Sequence, residues 1–178
     1  PPLSPQGIAF AFRLHKVTPW TLPQFIDNKF ITPLGAGLLS FFIDQQATMI
    51  VTGSRGSGKT SLMQALMLEI LQNTRIIVQE DTLEIPVPYM KDIGFNIQRL
   101  KTRSPISVSE TSNEVAPEEA LRTALRLGDS ALIIGEVRSL EAQALYEAMR
   151  IGALANVVAG TIHGASPYGV FDRVVNDL

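Results

Sequence analysis

The sequence predicts an α/β fold, a mostly parallel sheet with helices on both faces. Three observations predict it. Short apolar runs at 47–52, 75–79 and 131–134 are too brief for helices. Segments with helix-start signals alternate with them, and a glycine-rich loop joins the first run to a long apolar helix. Strands alternating with helices require crossover connections, which lay helices against a parallel sheet.

The elements follow in order. In Gly7–Lys16, Ile8, Phe10, Phe12 and Leu14 alternate with Ala9, Ala11, Arg13 and His15, the period of a strand with one buried face. Its isolation makes residues 1–17 the remnant strand of a preceding domain, and the Pro1-Pro2 start without Met reads as a piece cut from a longer protein. Residues 18–46 form a linker and two leading helices. Thr21-Leu22-Pro23-Gln24 is a capping box opening a helix to about Asp27, and Thr32-Pro33 joins a cap to a first-turn proline and opens a second to about Ile43. The core is then 47–178, incomplete at its C-terminal end. Ala47–Thr52 reads as a fully buried strand. Lys59–Leu71 is apolar nearly all round, broken by Gln64 and Glu69, as expected of a helix packed between layers. Arg75–Gln79 is the next strand, and Asp81–Val115, rich in Pro, Ser, Thr and Asn, reads as loops and short pieces. Pro117 opens a helix and Ala131–Ile134 is a short buried strand. Ser139 caps a helix to about Arg150, Ala155–Thr161 is a strand, and Ser166-Pro167 opens a last helix.

Composition sets outer limits. Hydrophobic residues at 46% and charged residues at 18% are the balance of a packed domain. Fifteen Lys and Arg against 17 Asp and Glu give a net charge of −2, so no bulk basic field attracts nucleic acid. Cys is absent, which removes disulfides and thiolate metal sites. The longest apolar runs, Gly37–Ile43 and Ala153–Val158, fall far short of the ~18 residues of a membrane span. No charged-then-apolar start marks a signal peptide. The expected state is soluble, with attachment to a membrane through a partner left open.

The strongest motif is Gly53-Ser54-Arg55-Gly56-Ser57-Gly58-Lys59-Thr60, which fits G-x-x-x-x-G-K-[ST] at every fixed position, with Ser61 following. Triphosphate oxygens need many donors at short range, and backbone N–H groups reach them where no side chain blocks the approach. The helix that follows aims its N-terminus at the phosphates. Lys59 then bridges the β- and γ-phosphates and the Thr60 hydroxyl is a ligand for Mg²⁺. The flanks are the required strand and helix, so the expected ligands are ATP, or a closely related triphosphate, and Mg²⁺.

Hydrolysis also needs acids near the metal and an acceptor for the attacking water. In an open α/β sheet these groups belong at the carboxyl ends of strands. Three strand ends qualify: Glu80-Asp81-Thr82-Leu83-Glu84, Gly135-Glu136-Val137-Arg138 and Thr161-Ile162-His163. Glu136 is assigned to magnesium or water handling, Glu80 to a site role where an apolar strand ends, and His163 to phosphate sensing. Glu84 reads equally as a solvated loop acid or a site group. Arg122, Arg126 and Arg138 are candidates to bind phosphate from a neighbouring subunit, but such arginines more often pair with acids such as Glu118 or Asp129, which is the default reading. Arg99, Lys101 and Arg103 read as a solvated or salt-bridged loop cluster, and His15 as structural.

Together these motifs resemble the secretion ATPase superfamily of type II and type IV secretion, type IV pili and the archaeal flagellum-like filament, with the archaeal GspE-type members nearest. The phosphate loop is shared with many families. Glu80-Asp81-Thr82-Leu83-Glu84 is similar to the family's E-D-x-x-E box. The segment Leu125-Arg126 with Ala131–Arg138 resembles its atypical Walker B, in which a glycine (Gly135 here) stands where an Asp is usual. Gly160-Thr161-Ile162-His163 resembles its histidine box. Three departures stand out: Gly128-Asp129-Ser130 in place of Asp-Pro-Asp, Ser139 in place of an Asp, and Gly164 in place of a small non-glycine residue. The resemblance implies a RecA-like P-loop NTPase of the additional-strand type. It also implies ATP hydrolysis in a homo-oligomeric ring, usually a hexamer, docked on a membrane platform protein at the cytoplasmic face. By resemblance Glu136 and Glu80 are the magnesium and water-handling acids and His163 is the γ-phosphate sensor.

Three other readings share the phosphate loop. A nucleic-acid translocase or packaging ATPase has the same core, but a sustained Lys/Arg stripe is missing. A GTP-binding switch requires Asn-Lys-x-Asp, and the nearest match, Asn28-Lys29-Phe30-Ile31, lacks the Asp and precedes the loop. A small-molecule kinase needs a lid-like basic segment near the site, and none is visible.

Overall fold

The computed structural model describes residues 7, 14, 17–102, 115–137, 142, 145, 146 and 157–176. The strand expected at 7–16 and the helix expected at 139–150 fall almost wholly outside these residues, as does Arg138.

Two short helices lead into the sheet, and both start as their caps require. Helix α1 (Leu22–Asp27) opens on a reciprocal box: Thr21 Oγ1 accepts from Gln24 N at 3.4 Å, and Gln24 Oε1 accepts from Thr21 N at 3.0 Å. Helix α2 (Pro33–Asp44) opens with Thr32 Oγ1 accepting from Gly35 N at 3.1 Å. Trp20 packs edge-on to Phe25 at 5.3 Å between ring centroids, and Phe30 joins them at 5.8 Å from Trp20.

The remaining elements are β1 (Met49–Gly53), α3 (Lys59–Leu68), β2 (Ile76–Glu80), α4 (Val87–Asp92), β3 (Ile97–Lys101), α5 (Pro117–Arg126), β4 (Ala131–Ile134), β5 (Val158–His163) and α6 (Pro167–Asn176). The strands form one sheet in the order β1-β5-β4-β2-β3, every pairing parallel. One strand, β5, therefore lies between β1, which feeds the phosphate loop, and β4, which leads to Glu136. That interposed strand is the additional-strand arrangement.

The alternation of strand side chains builds two apolar layers. Ile76, Val78, Ala131, Ile133 and Ala159 face a layer with Met63, Leu66 and Met67 of α3 and Met90 of α4. Ile77, Leu132, Ile134, Val158 and Ile162 face the other, with Leu121 and Ala124 of α5. Helices thus cover both faces, and five consecutive residues of α3, Met63 to Met67, are buried. Among the described residues no helix is long and apolar enough to cross a membrane.

Three expectations need correction. Strand β1 is not fully buried: its burial alternates, and Ile50 is 41% exposed. An apolar run says nothing about how many neighbours a strand has, and among the described residues β1 pairs with β5 alone. Helix α3 ends at Leu68 rather than Leu71, which is exposed. The stretch after Asp81 holds α4 and the strand β3, whose register on β2 runs Ile76 to Ile97 through Glu80 to Lys101.

Candidate functional site

The carboxyl ends of β1, β5, β4 and β2 open onto one cavity of 540 Å³, within the ~300–1,000 Å³ of ligand sites. Arg55, Gly56, Gly58, Lys59, Thr60 and Ser61 line it from the loop. Glu80, Asp81, Thr82, Glu84, Gly135, Glu136, Thr161 and His163 line it from the strand ends.

The loop needs glycine at its hinge into α3. Gly58 is the N-cap at φ 86°, a left-handed conformation costly for side-chain-bearing residues, and it offers no side chain to cap the helix. The first-turn amides of α3 therefore keep their capacity for an anion. Lys59 is folded back on its own loop: Nζ donates to Gly53 O at 3.0 Å and to Ser54 O at 2.8 Å, and lies 3.4 Å from His163 Nδ1. Ser57 N donates to Ser54 O at 3.3 Å, closing the turn through Arg55 and Gly56.

Register places the histidine. His163 stands opposite Gly53 across the β1–β5 pairing. Its Nε2 lies 3.2 Å from Glu136 Oε1, so the imidazole bridges Lys59 and Glu136. An ammonium has only donors, so a hydrogen bond from Lys59 to Nδ1 requires the tautomer whose proton is on Nε2, facing the carboxylate. Glu136 is held by its neighbours' backbone: Gly135 N donates to Gln79 O at 2.8 Å, and Val137 N donates to Thr161 O at 2.7 Å. Thr161 Oγ1, in turn, donates to Gly135 O at 2.6 Å.

The acidic box is arranged differently from a row of solvent-facing acids. Glu84 Oε2 accepts from Thr60 Oγ1 at 2.9 Å, which brings Glu84 to the hydroxyl assigned to the metal. Glu80 is 3% exposed and turned into the loop, where Oε1 accepts from Glu84 N at 3.0 Å and Ile85 N at 2.9 Å. Its Oε2 is 3.2 Å from Arg99 Nε, close as charges though the N–H is not aligned as a hydrogen bond. Burial pushes the Glu80 carboxyl above its ordinary 4.5; the amides of Ile85 and Glu84 and the Arg99 guanidinium offset part of this, and the charge of Glu84 adds to it. Arg99 is thus engaged by a buried acid, the salt-bridged of the two readings given for its cluster, although it lies on strand β3 rather than in a loop. The pair joins β2 to β3 across 19 residues of chain, so no local spacing links them.

Gln64, Arg99 and Thr161 had no functional assignment. Thr161 stood inside the Gly160–His163 motif, and Gln64 was visible as a lone polar break in an apolar helix, both signals of a buried hydrogen bond. Among the described residues no group of three or more His, Cys, Asp or Glu could hold a metal alone. The oxygen donors of Thr60, Glu84 and Glu136 suit Mg²⁺, which takes one or two protein carboxylates and completes its shell with phosphate and water.

The chain is similar to known proteins along most of its length. The uncharacterized protein MJ0900 of Methanocaldococcus jannaschii is 28% identical over 182 residues, spanning 98% of this chain and 30% of that protein. The conjugal transfer protein TrbB of Rhizobium radiobacter is 28% identical over 171 residues, spanning 94% of this chain and 48% of that protein. The chain thus spans less than half the length of these two relatives. The crystal structure of the VirB11 ATPase from the Brucella suis type IV secretion system, in complex with sulphate, superposes with a TM-score of 0.64 at 24% identity. That alignment covers 92% of this chain and 45% of the VirB11 chain, and it shows a shared fold. The family described as type II/IV secretion system protein matches residues 4–176, so the chain belongs to that family.

Proposed function

We propose that this chain is the ATP-hydrolysing core of a motor that powers protein secretion or the assembly of a type IV pilus or archaeal filament. The observation that carries this reading is the convergence of Lys59, Thr60, Glu136 and His163 on one cavity at the carboxyl edge of the sheet. Family membership supports it from outside the site.

Each group has a chemical task. Gly53 to Ser61 wrap the triphosphate, whose oxygens accept from loop and first-turn amides. Lys59 exchanges two carbonyl partners for phosphate oxygens, trading neutral acceptors for charged ones that bind roughly twice as strongly. Its departure leaves His163 Nδ1 to a new partner, which gives the imidazole a way to register the terminal phosphate. Glu136 accepts a proton from, or orients, the attacking water. Thr60 supplies a hydroxyl oxygen to Mg²⁺, and Glu136 and Glu84 supply carboxylates directly or through water. When bound, the ion neutralises charge on the β- and γ-phosphate oxygens. Assembly as a ring, of six subunits by family resemblance, and attachment to a platform protein on the cytoplasmic face of the membrane belong to the same proposal.

The test is mutational, on the intact protein. Lys59→Ala abolishes binding of a fluorescent ATP analogue. Glu136→Gln spares binding and lowers hydrolysis by about 100-fold or more. Normal turnover by Glu136→Gln overturns the assignment of that acid. Turnover that rises with added DNA and falls with salt would favour a nucleic-acid translocase.

A further inference from the structure

The main chain at residues 84–85 is gripped by side chains rather than by secondary structure. Both amides, Glu84 N and Ile85 N, donate to Glu80 Oε1. The Glu84 carbonyl accepts from Gln64 Nε2 at 3.0 Å, and the Ile85 carbonyl accepts from Arg99 Nη2 and, at 2.8 Å, from Val87 N. Three elements that pack into the same core, β2, β3 and α3, thus reach out to fix one dipeptide. Gln64 is 8% exposed and the Glu80 side chain 1%, so water does not compete strongly for these bonds. The product of the grip is the placement of the Glu84 carboxylate against the Thr60 hydroxyl.

We propose that Glu80, Arg99 and Gln64 are positioning residues, which clamp residues 84–85 so that Glu84 reaches Thr60, and that Glu80 takes no part in proton transfer or metal contact. This rests on the proposed function for the role of Thr60. Glu80 spends one carboxylate oxygen on two amides and sets the other against a guanidinium. Glu84 is the acid of the box that meets the phosphate-loop helix, through the Thr60 hydroxyl. A clamp depends on acceptor geometry, whereas a base or a metal ligand depends on charge, and the two are separable by isosteric substitution.

The experiment uses the intact protein in four variants: Glu80→Gln, Glu80→Ala, Arg99→Met and Gln64→Leu. Glu80→Gln keeps an acceptor oxygen for both amides, so it retains at least tenfold more ATPase activity than Glu80→Ala. Arg99→Met raises the Mg²⁺ concentration for half-maximal turnover about tenfold or more, while binding of the fluorescent ATP analogue in EDTA stays within about threefold. Each figure is about a tenfold equilibrium change, the effect of one lost charged hydrogen bond. Amide hydrogen exchange at Glu84 and Ile85 accelerates in Arg99→Met and Glu80→Ala. Gln64→Leu removes one donor from a different element, raises the Mg²⁺ requirement in the same direction, and serves where the others do not fold. Equal loss of activity in Glu80→Gln and Glu80→Ala overturns the proposal and makes Glu80 a reacting group. An unchanged Mg²⁺ requirement in both Arg99→Met and Gln64→Leu also overturns it. If the wild type binds no ATP, the proposed function fails, and unaltered exchange at Glu84 and Ile85 in the variants then refutes the clamp separately.

Discussion

Replacing Gly135 with Ala adds a single methyl group at a crowded point of the site. The new Cβ would stand 3.0 Å from Glu80 Cγ and 3.4 Å from Gln79 O, where carbon atoms ordinarily rest at ~3.5–4.0 Å. Relief requires Glu80 to retreat by a few tenths of an ångström. Its Oε1 holds Glu84 N at 3.0 Å and Ile85 N at 2.9 Å, so the same retreat stretches both toward the long end of the hydrogen-bond range. Hydrogen bonds to a charged acceptor contribute ~1.5–3 kcal/mol each, so stretching the two without breaking them costs about 1–2 kcal/mol. At ~1.4 kcal/mol per decade, exchange protection of the two amides falls by roughly 5- to 30-fold, read directly by hydrogen exchange on the intact protein. Protection of both amides within threefold of wild type, with unchanged thermal stability, refutes the reasoning. This also accounts physically for a glycine at position 135: the space a side chain would take is occupied by the side chain of Glu80.

Three further outcomes are expected of the same fold. Thr161→Val removes the 2.6 Å bond to Gly135 O and leaves a part-buried carbonyl short of a donor, so it lowers stability by ~1 kcal/mol in denaturant titration and reduces turnover. The raised carboxyl of Glu80 means the folded protein holds this proton more tightly than the unfolded chain. Its contribution is therefore fully present below pH 4.5 and is lost as pH rises through the folded value. Melting curves across that range should show the wild type losing ground to Glu80→Gln with rising pH, and a flat difference contradicts the burial argument. Leu121→Ala, at a position 0% exposed on the α5 side of the sheet, costs ~2–5 kcal/mol in chemical unfolding.

Much of the architecture was legible because its signals are local. Thr21 with Gln24, Thr32 with Pro33 and the phosphate loop with its flanks each lie within a few residues, and short-range chemistry decides them. Strands β2, β4 and β5 were readable as apolar runs, within one to three residues of their observed limits. What escaped depends on distant partners. Strand β3 carries Gln98, Arg99 and Lys101 and has no clear period; it is a strand because β2 pairs with it. The partial exposure of β1 reflects its place at one end of the sheet order, which no run of apolar letters encodes. In the site, Glu136 and His163 were expected on the same edge, and the structure brings them to 3.2 Å. Glu84 was undecided between two readings because its contact with Thr60 spans 24 residues of chain. Gln64 and Arg99 act on the main chain of a loop, and no spacing rule points from either one to residues 84–85.

The pairing of β5 with β1 has a consequence for how this protein can change over evolutionary time. Strands advance ~3.3 Å per residue and reverse their facing at each step. A shift of one place in β5 would therefore withdraw the imidazole and present Ile162, an apolar-layer residue, opposite Gly53. Sensor and loop are kept in step by a ruler made of ladder bonds. Insertions and deletions inside these strands should then be far rarer among functional descendants than length changes in the connections between them.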